Sequence, residues 1–190
     1  MVQLSKQSQG TQLDATRKFQ RTVAAETLAN GLINAILNGV LAWLTLRSVG
    51  SLTLGGENSY IGDTAATAFV LPFILSLIII SLNRRKLRQG KIDAIELEPN
   101  KWLHAILIRF PTRLWAQALL LGLLATLITS PLVIGVLWAT GLHEISPTDY
   151  AIIKGVWTGA LAAALTLPAL LLALGIPAAA QDYPVRSESP

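Results

Sequence analysis

Hydrophobic residues along this chain gather in four long runs, residues 23–46, 63–82, 114–140 and 152–176, separated by polar segments. Each run reaches the roughly 20 mainly apolar residues that a helix needs to cross a bilayer. A helix satisfies its own backbone hydrogen bonds in hydrocarbon, so the pattern predicts an all-α, polytopic membrane protein with four transmembrane helices. Residues 47–62 and 141–151 are short links, which predicts two helical hairpins joined by the longer segment 83–113. Gly50, Gly55, Gly56 and Gly62 favour turns in the first link and leave no room for a separate domain.

Outside the runs the pattern changes. Residues 1–12 show no periodicity and are expected to be mobile. A short amphipathic helix is expected next, with Leu13, Phe19 and Val23 on one side and Arg17, Lys18 and Arg21 reaching toward headgroups. No apolar core precedes residue 22, so residues 1–21 are read as a polar, basic segment without a cleavable signal, and the first run as a retained span. In the central segment Trp102, Ile106 and Phe110 recur every four residues, which predicts a second interfacial helix on the cytoplasmic surface before Pro111 turns the chain. Residues 177–190 are expected to be disordered.

Polar residues inside the runs are the candidates for function. Glu26, Asn30, Asn34 and Asn38 fall on one stripe of the first span, and Gly31, Ala35 and Gly39 form a small-residue stripe beside it. An isolated amide is unfavourable in hydrocarbon, so the stripe should face protein or water. Two uses follow: a tightly packed interhelical or dimer seam, or a polar route rising roughly 12 Å from the cytoplasm toward mid-membrane. At the outer ends, Asp63 and Thr67 on span two, with Lys154 and Thr158 on span four, could form either a surface ion pair or a gate. Gly155, Gly159 and Ala163 give span four a small-xxx-small pattern suited to contact within the chain or between copies.

Pro72, Pro131 and Pro168 interrupt three spans and free the carbonyls of Ala68, Leu127 and Ala164. Thr126, Thr129, Ser130 and Thr166 stand near enough for their hydroxyls to re-satisfy the backbone. Phe69-Val70-Leu71-Pro72-Phe73-Ile74-Leu75 resembles Leu165-Thr166-Leu167-Pro168-Ala169-Leu170-Leu171, which suggests a parallel tandem repeat of the two hairpins.

Composition agrees with insertion: the 190 residues are 52% hydrophobic and only 14% charged, outside the usual balance of a soluble domain. The net charge of +4 would suggest nucleic acid in a soluble protein, but location explains it better. Lys6, Arg17, Lys18 and Arg21 precede span one, and Arg84, Arg85, Lys86, Arg88, Lys91, Lys101, Arg109 and Arg113 follow span two. The positive-inside bias therefore places both termini and the central segment in the cytoplasm, with anionic lipid headgroups as partners instead of nucleic acid. Trp43, Trp138 and Trp157 mark the outer boundary, Trp102 and Trp115 the inner one.

No motif for catalysis appears: there is no HExxH, Walker loop, GxSxG or dinucleotide fingerprint. His104 and His143 fall on opposite sides of the expected topology, and cysteine is absent, so no catalytic residue, metal site or cofactor is assigned. Asn30, Asn34, Asn38, Gly62, Asp63, Thr64, Leu71 and Pro72 resemble the Asn-rich first span, Gly-Asp-Thr start and Leu-Pro interior of small, uncharacterised four-helix bacterial inner-membrane proteins. That resemblance covers most of residues 22–176 and implies an inner-membrane location but no activity. The stripe, the prolines and the repeat together point to a small permease-like or channel-like component, oligomeric because four helices enclose little space. The alternative is a nonenzymatic assembly or regulatory factor that grips partner transmembrane helices.

Overall fold

The computed structural model describes the backbone of residues 2–53, 55, 59–141 and 144–177, with side chains from residue 17 onward except 18 and 177. The described residues are mostly helical. In chain order it runs α1 (Val2–Leu46), β1 (Leu52–Thr53), α2 (Tyr60–Arg88), β2 (Ile95–Leu97), α3 (Trp102–Leu107), α4 (Leu114–Ala139), β3 (Glu144–Ile145), α5 (Pro147–Leu174) and β4 (Gly175–Pro177). Among the described residues four helices are long and apolar enough to cross a membrane: α2, α4, α5 and the Phe19–Leu46 part of α1.

Helix α1 departs from expectation, because its 45 residues form one helix where a mobile segment and a separate short helix were expected. Nothing between residues 2 and 30 is a glycine pair or a proline, so no backbone signal stops a helix once the apolar part has nucleated it. The other ends have local causes. Pro147 opens α5, where its missing N–H would be unpaired anyway, and Ser146 Oγ accepts the Asp149 N–H at 3.1 Å. Helix α2 closes on Gly90 at φ +65°, with the Lys91 N–H bonded to the Lys86 carbonyl at 3.0 Å, and Arg85, Lys86 and Arg88 complement its dipole. Expected disorder at 178–190 and the placement of His143 lie outside the described residues.

Short strands, absent from the all-α expectation, tie the links together. Leu52 and Thr53 pair antiparallel with Ile145 and Glu144. Ile95–Leu97 pairs parallel with Gly175–Pro177, so the chain leaving α5 joins the central segment in a strand pair that ends the helix at Leu174. Each strand is two or three residues long, too little for a hydropathy pattern to reveal.

The helices form two compact groups that cut across the expected hairpins. One comprises Met1–Ile61 with Val136–Leu167, the other Gly62–Gly135 with Pro168–Pro190. The first therefore joins α1 to α5 as far as Leu167, and the second joins α2, α4 as far as Gly135, and the last residues of α5. In the second group Gly122 lies where an added Cβ would meet the Phe69 ring and carbonyl at 3.2 Å, so its small size lets α4 approach α2.

Candidate functional site

Within the first group, α1 and α5 meet along the two small-residue stripes. A Cβ on Gly159 would stand 2.8 Å from Ala35 Cβ and 2.9 Å from the Gly31 carbonyl oxygen. One on Gly155 would stand 2.8 Å from the Ala35 carbonyl oxygen, and one on Gly39 would be 3.3 Å from that of Ala151. One on Gly31 would stand 3.3 Å from Ala163 Cβ. Gly31, Ala35, Gly39, Gly155, Gly159 and Ala163 are thus brought together as one intramolecular seam, backbone against backbone.

The Asn stripe runs along the edge of this seam. Asn30 Nδ2 donates to Thr166 Oγ1 across the helices at 3.1 Å. Asn34 Nδ2 donates to the Asn30 carbonyl at 2.8 Å, and Asn38 Nδ2 to the Asn34 carbonyl at 3.0 Å. Thr158 Oγ1 donates to the Lys154 carbonyl at 2.7 Å and lies 3.4 Å from the Asn34 carbonyl. Each amide therefore places one N–H on a protein acceptor, while its Oδ1 accepts from no described residue. All three Asn side chains are half-buried, and the carboxylate of Glu26, one turn earlier, is also half-buried and engaged.

Near the start of α5 in the same group, Lys154 is 8% exposed and Thr158 is fully buried. One turn before Lys154, Tyr150 packs against Tyr60 with ring centroids 6.0 Å apart and the planes tilted by 33°, and both residues are 1% exposed. Tyr60 and Tyr150 were missed by sequence reasoning. Each lies in the first turn of its helix, beyond the apolar run, where a lone tyrosine carries no distinguishing signal. Asp63 and Thr67, half-buried, belong to the second group.

The prolines lie inside α2, α4 and α5 as expected, but the hydroxyls near them do not serve the freed carbonyls. Thr126, Thr129 and Thr166 donate instead to Gly122, Ala125 and Ala162, each the carbonyl four residues before the hydroxyl. A threonine in a helix reaches its own i−4 carbonyl most easily, and that geometry overrides proximity to the kink. Ser130 Oγ, beside Pro131, is buried without a partner.

A second polar cluster sits in the other group. Arg84 donates to Gln117 Oε1 at 2.8 Å, to the Leu172 carbonyl at 3.2 Å and to the Thr112 carbonyl at 3.4 Å. Its guanidinium so joins α2 to the start of α4 and caps the negative end of α5. In the sequence Arg84 is one of the eight basic residues that follow span two, with nothing to set it apart. In the central segment the Glu98 N–H donates to His104 Nδ1 at 3.0 Å, and Lys101 Nζ pairs with Glu98 Oε1 at 2.7 Å. Among the described residues no group of three or more His, Cys, Asp or Glu side chains could hold a metal ion.

On the other side of the α1–α5 seam an open groove of about 440 Å³ is lined by Ile36, Val40, Trp43, Ala151, Ile152 and Val156, among others. Arg47 lies 5.2 Å above the Trp43 ring near its end, a cation–π contact. The geometry offers helix packing surfaces and hydrogen-bonded amides. No family model, curated protein or solved structure matches the chain.

Proposed function

We propose that this chain is a nonenzymatic integral membrane protein that acts by helix association, an assembly or regulatory factor of a bacterial cytoplasmic membrane with both termini inside. The observation that carries the reading is the state of the Asn stripe. Its amides bond to Thr166 and to backbone carbonyls beside a seam too tight for a methyl group, as helix-holding polar residues do in lipid. A transport route would need those groups around a hydrated passage, whereas the seam beside them is closed, backbone against backbone.

Exposure supports the same reading. Only 6% of the apolar window of α1 is buried, against 56% for α5, so α1 is held by one narrow seam and offers most of its surface outward. The orientation rests on the basic residues that flank α1 and follow α2, and on the exposed indoles of Trp102 and Trp115 at the inner level and Trp138 at the outer.

The test combines flux and capture. Purified protein in proteoliposomes is expected to leave ion and solute flux at the level of empty vesicles. Photoreactive residues placed singly along the exposed faces of α1 and α4 in native membranes should give one discrete protein adduct confined to one helix face. Flux that Asn34→Leu and Asn38→Leu abolish, or lipid adducts at every position, would overturn the proposal.

A further inference from the structure

The exposed face of α1 carries its own partner specification. Asn30, Asn34, Leu37, Leu41 and Leu44 follow one another at spacings of four, three, four and three, which is the seam of a two-stranded coiled coil. Leu37, Leu41 and Leu44 are 53%, 50% and 49% exposed, so this face is not consumed by the α1–α5 contact. It lies on the Asn side of that contact, opposite the groove.

The amides on this face are half used. An amide side chain has two N–H donors and an acceptor oxygen, and those of Asn30 and Asn34 each commit a single N–H. Their Oδ1 atoms are not among the sealed, unsatisfied atoms, which among the described residues are Ser76 Oγ, Ser130 Oγ and Trp157 Nε1. They are therefore open to whatever covers α1. In hydrocarbon an open amide demands a donor and an acceptor together, and the group that supplies both in matching geometry is another amide.

The geometry points to a second copy of this chain as the occupant: α1 pairs with α1 of its twin in a parallel, two-fold dimer, with Asn34 facing Asn34 and the leucines packed beyond it. All copies insert with the same orientation, so a two-fold axis along the membrane normal brings like faces together, and a face carrying both donor and acceptor is complementary to itself. A polar residue at one position of such a seam fixes its register. This inference rests on the association reading above and names the partner within it.

The chain has no cysteine, so single cysteines can be introduced without background. Full-length variants scanning residues 32–44 in phosphatidylethanolamine–phosphatidylglycerol vesicles should form disulfide dimers with maxima at Leu37, Leu41 and Leu44, about tenfold above Ile36 and Val40. The contrast arises because a disulfide needs Cα atoms within about 7 Å. In a fluorescence-transfer dimerisation assay in the same vesicles, Asn34→Leu should weaken self-association roughly 10- to 100-fold, because each dimer gives up its pair of amide–amide hydrogen bonds, while Ile36→Ala leaves it unchanged. Uniform crosslinking, maxima on the Ile36–Val40 face, or a chain that stays monomeric would overturn the dimer. A monomer whose Leu37 photo-adduct in native membranes is a different protein overturns the second copy but leaves the association reading standing. A monomer with only lipid adducts removes both.

Discussion

Gly159→Ala sets two effects of known sign against each other. In an exposed helix interior the substitution stabilises by about 1 kcal/mol, because alanine gives up less backbone freedom on folding. At Gly159 the new methyl would stand 2.8 Å from Ala35 Cβ and 2.9 Å from the Gly31 carbonyl oxygen, where ordinary contact begins near 3.4 Å. Neither neighbour is the end of a flexible side chain, so α1 and α5 must separate by roughly half an ångström or more along the seam. A gap of that size forfeits about a quarter to a half of each dispersion contact, and overpacking of this kind costs typically 1–3 kcal/mol.

Gly135→Ala supplies the reference, because it also lies within a helix but has nothing within 4 Å of an added Cβ. Unfolding in mixed micelles, followed by tryptophan fluorescence, should rank Gly135→Ala at or above the native protein. Gly159→Ala should fall about 1–3 kcal/mol below Gly135→Ala. Adding Ala35→Gly to Gly159→Ala should recover part of the deficit by removing one of the two clashes. A Gly159→Ala protein as stable as Gly135→Ala would refute the seam.

Arg84→Met should destabilise by about 1.5–3 kcal/mol, the scale of hydrogen bonds from a charged group, and a double-mutant cycle with Gln117→Leu should show coupling between them. Additive effects would mean that the contact holds nothing. The carboxyl of Glu98 is held below the usual range, first by the hydrogen bond from Lys101. Because the folded value is depressed, its small favourable contribution is present above the unfolded value and lost as pH falls through the folded one. A carbon-13 titration of Glu98 should therefore have its midpoint below that of a free glutamate, and Lys101→Met should raise it. A midpoint unchanged by that substitution would contradict the pairing.

What sequence and structure each contributed is clearest on α1. Span positions are legible in the sequence because bilayer thickness and backbone satisfaction dictate length and hydropathy locally. The two stripes are legible because helical geometry places residues three and four apart together, whatever the tertiary fold. No local rule shows that Gly31, Ala35 and Gly39 meet Ala163, Gly159 and Gly155. Between helices in lipid the hydrophobic effect is nearly silent, so hydropathy carries no information about which apolar face meets which, and close backbone approach decides it. The same holds for Arg84, whose role depends on the Leu172 carbonyl 88 residues away, and for the strand pairs, whose few residues show no period of their own. The sequence by itself determined four spans, their stripes and the basic flanks. Only the tertiary structure decided that α1 packs on α5 through glycine and leaves its Asn30–Leu44 face open.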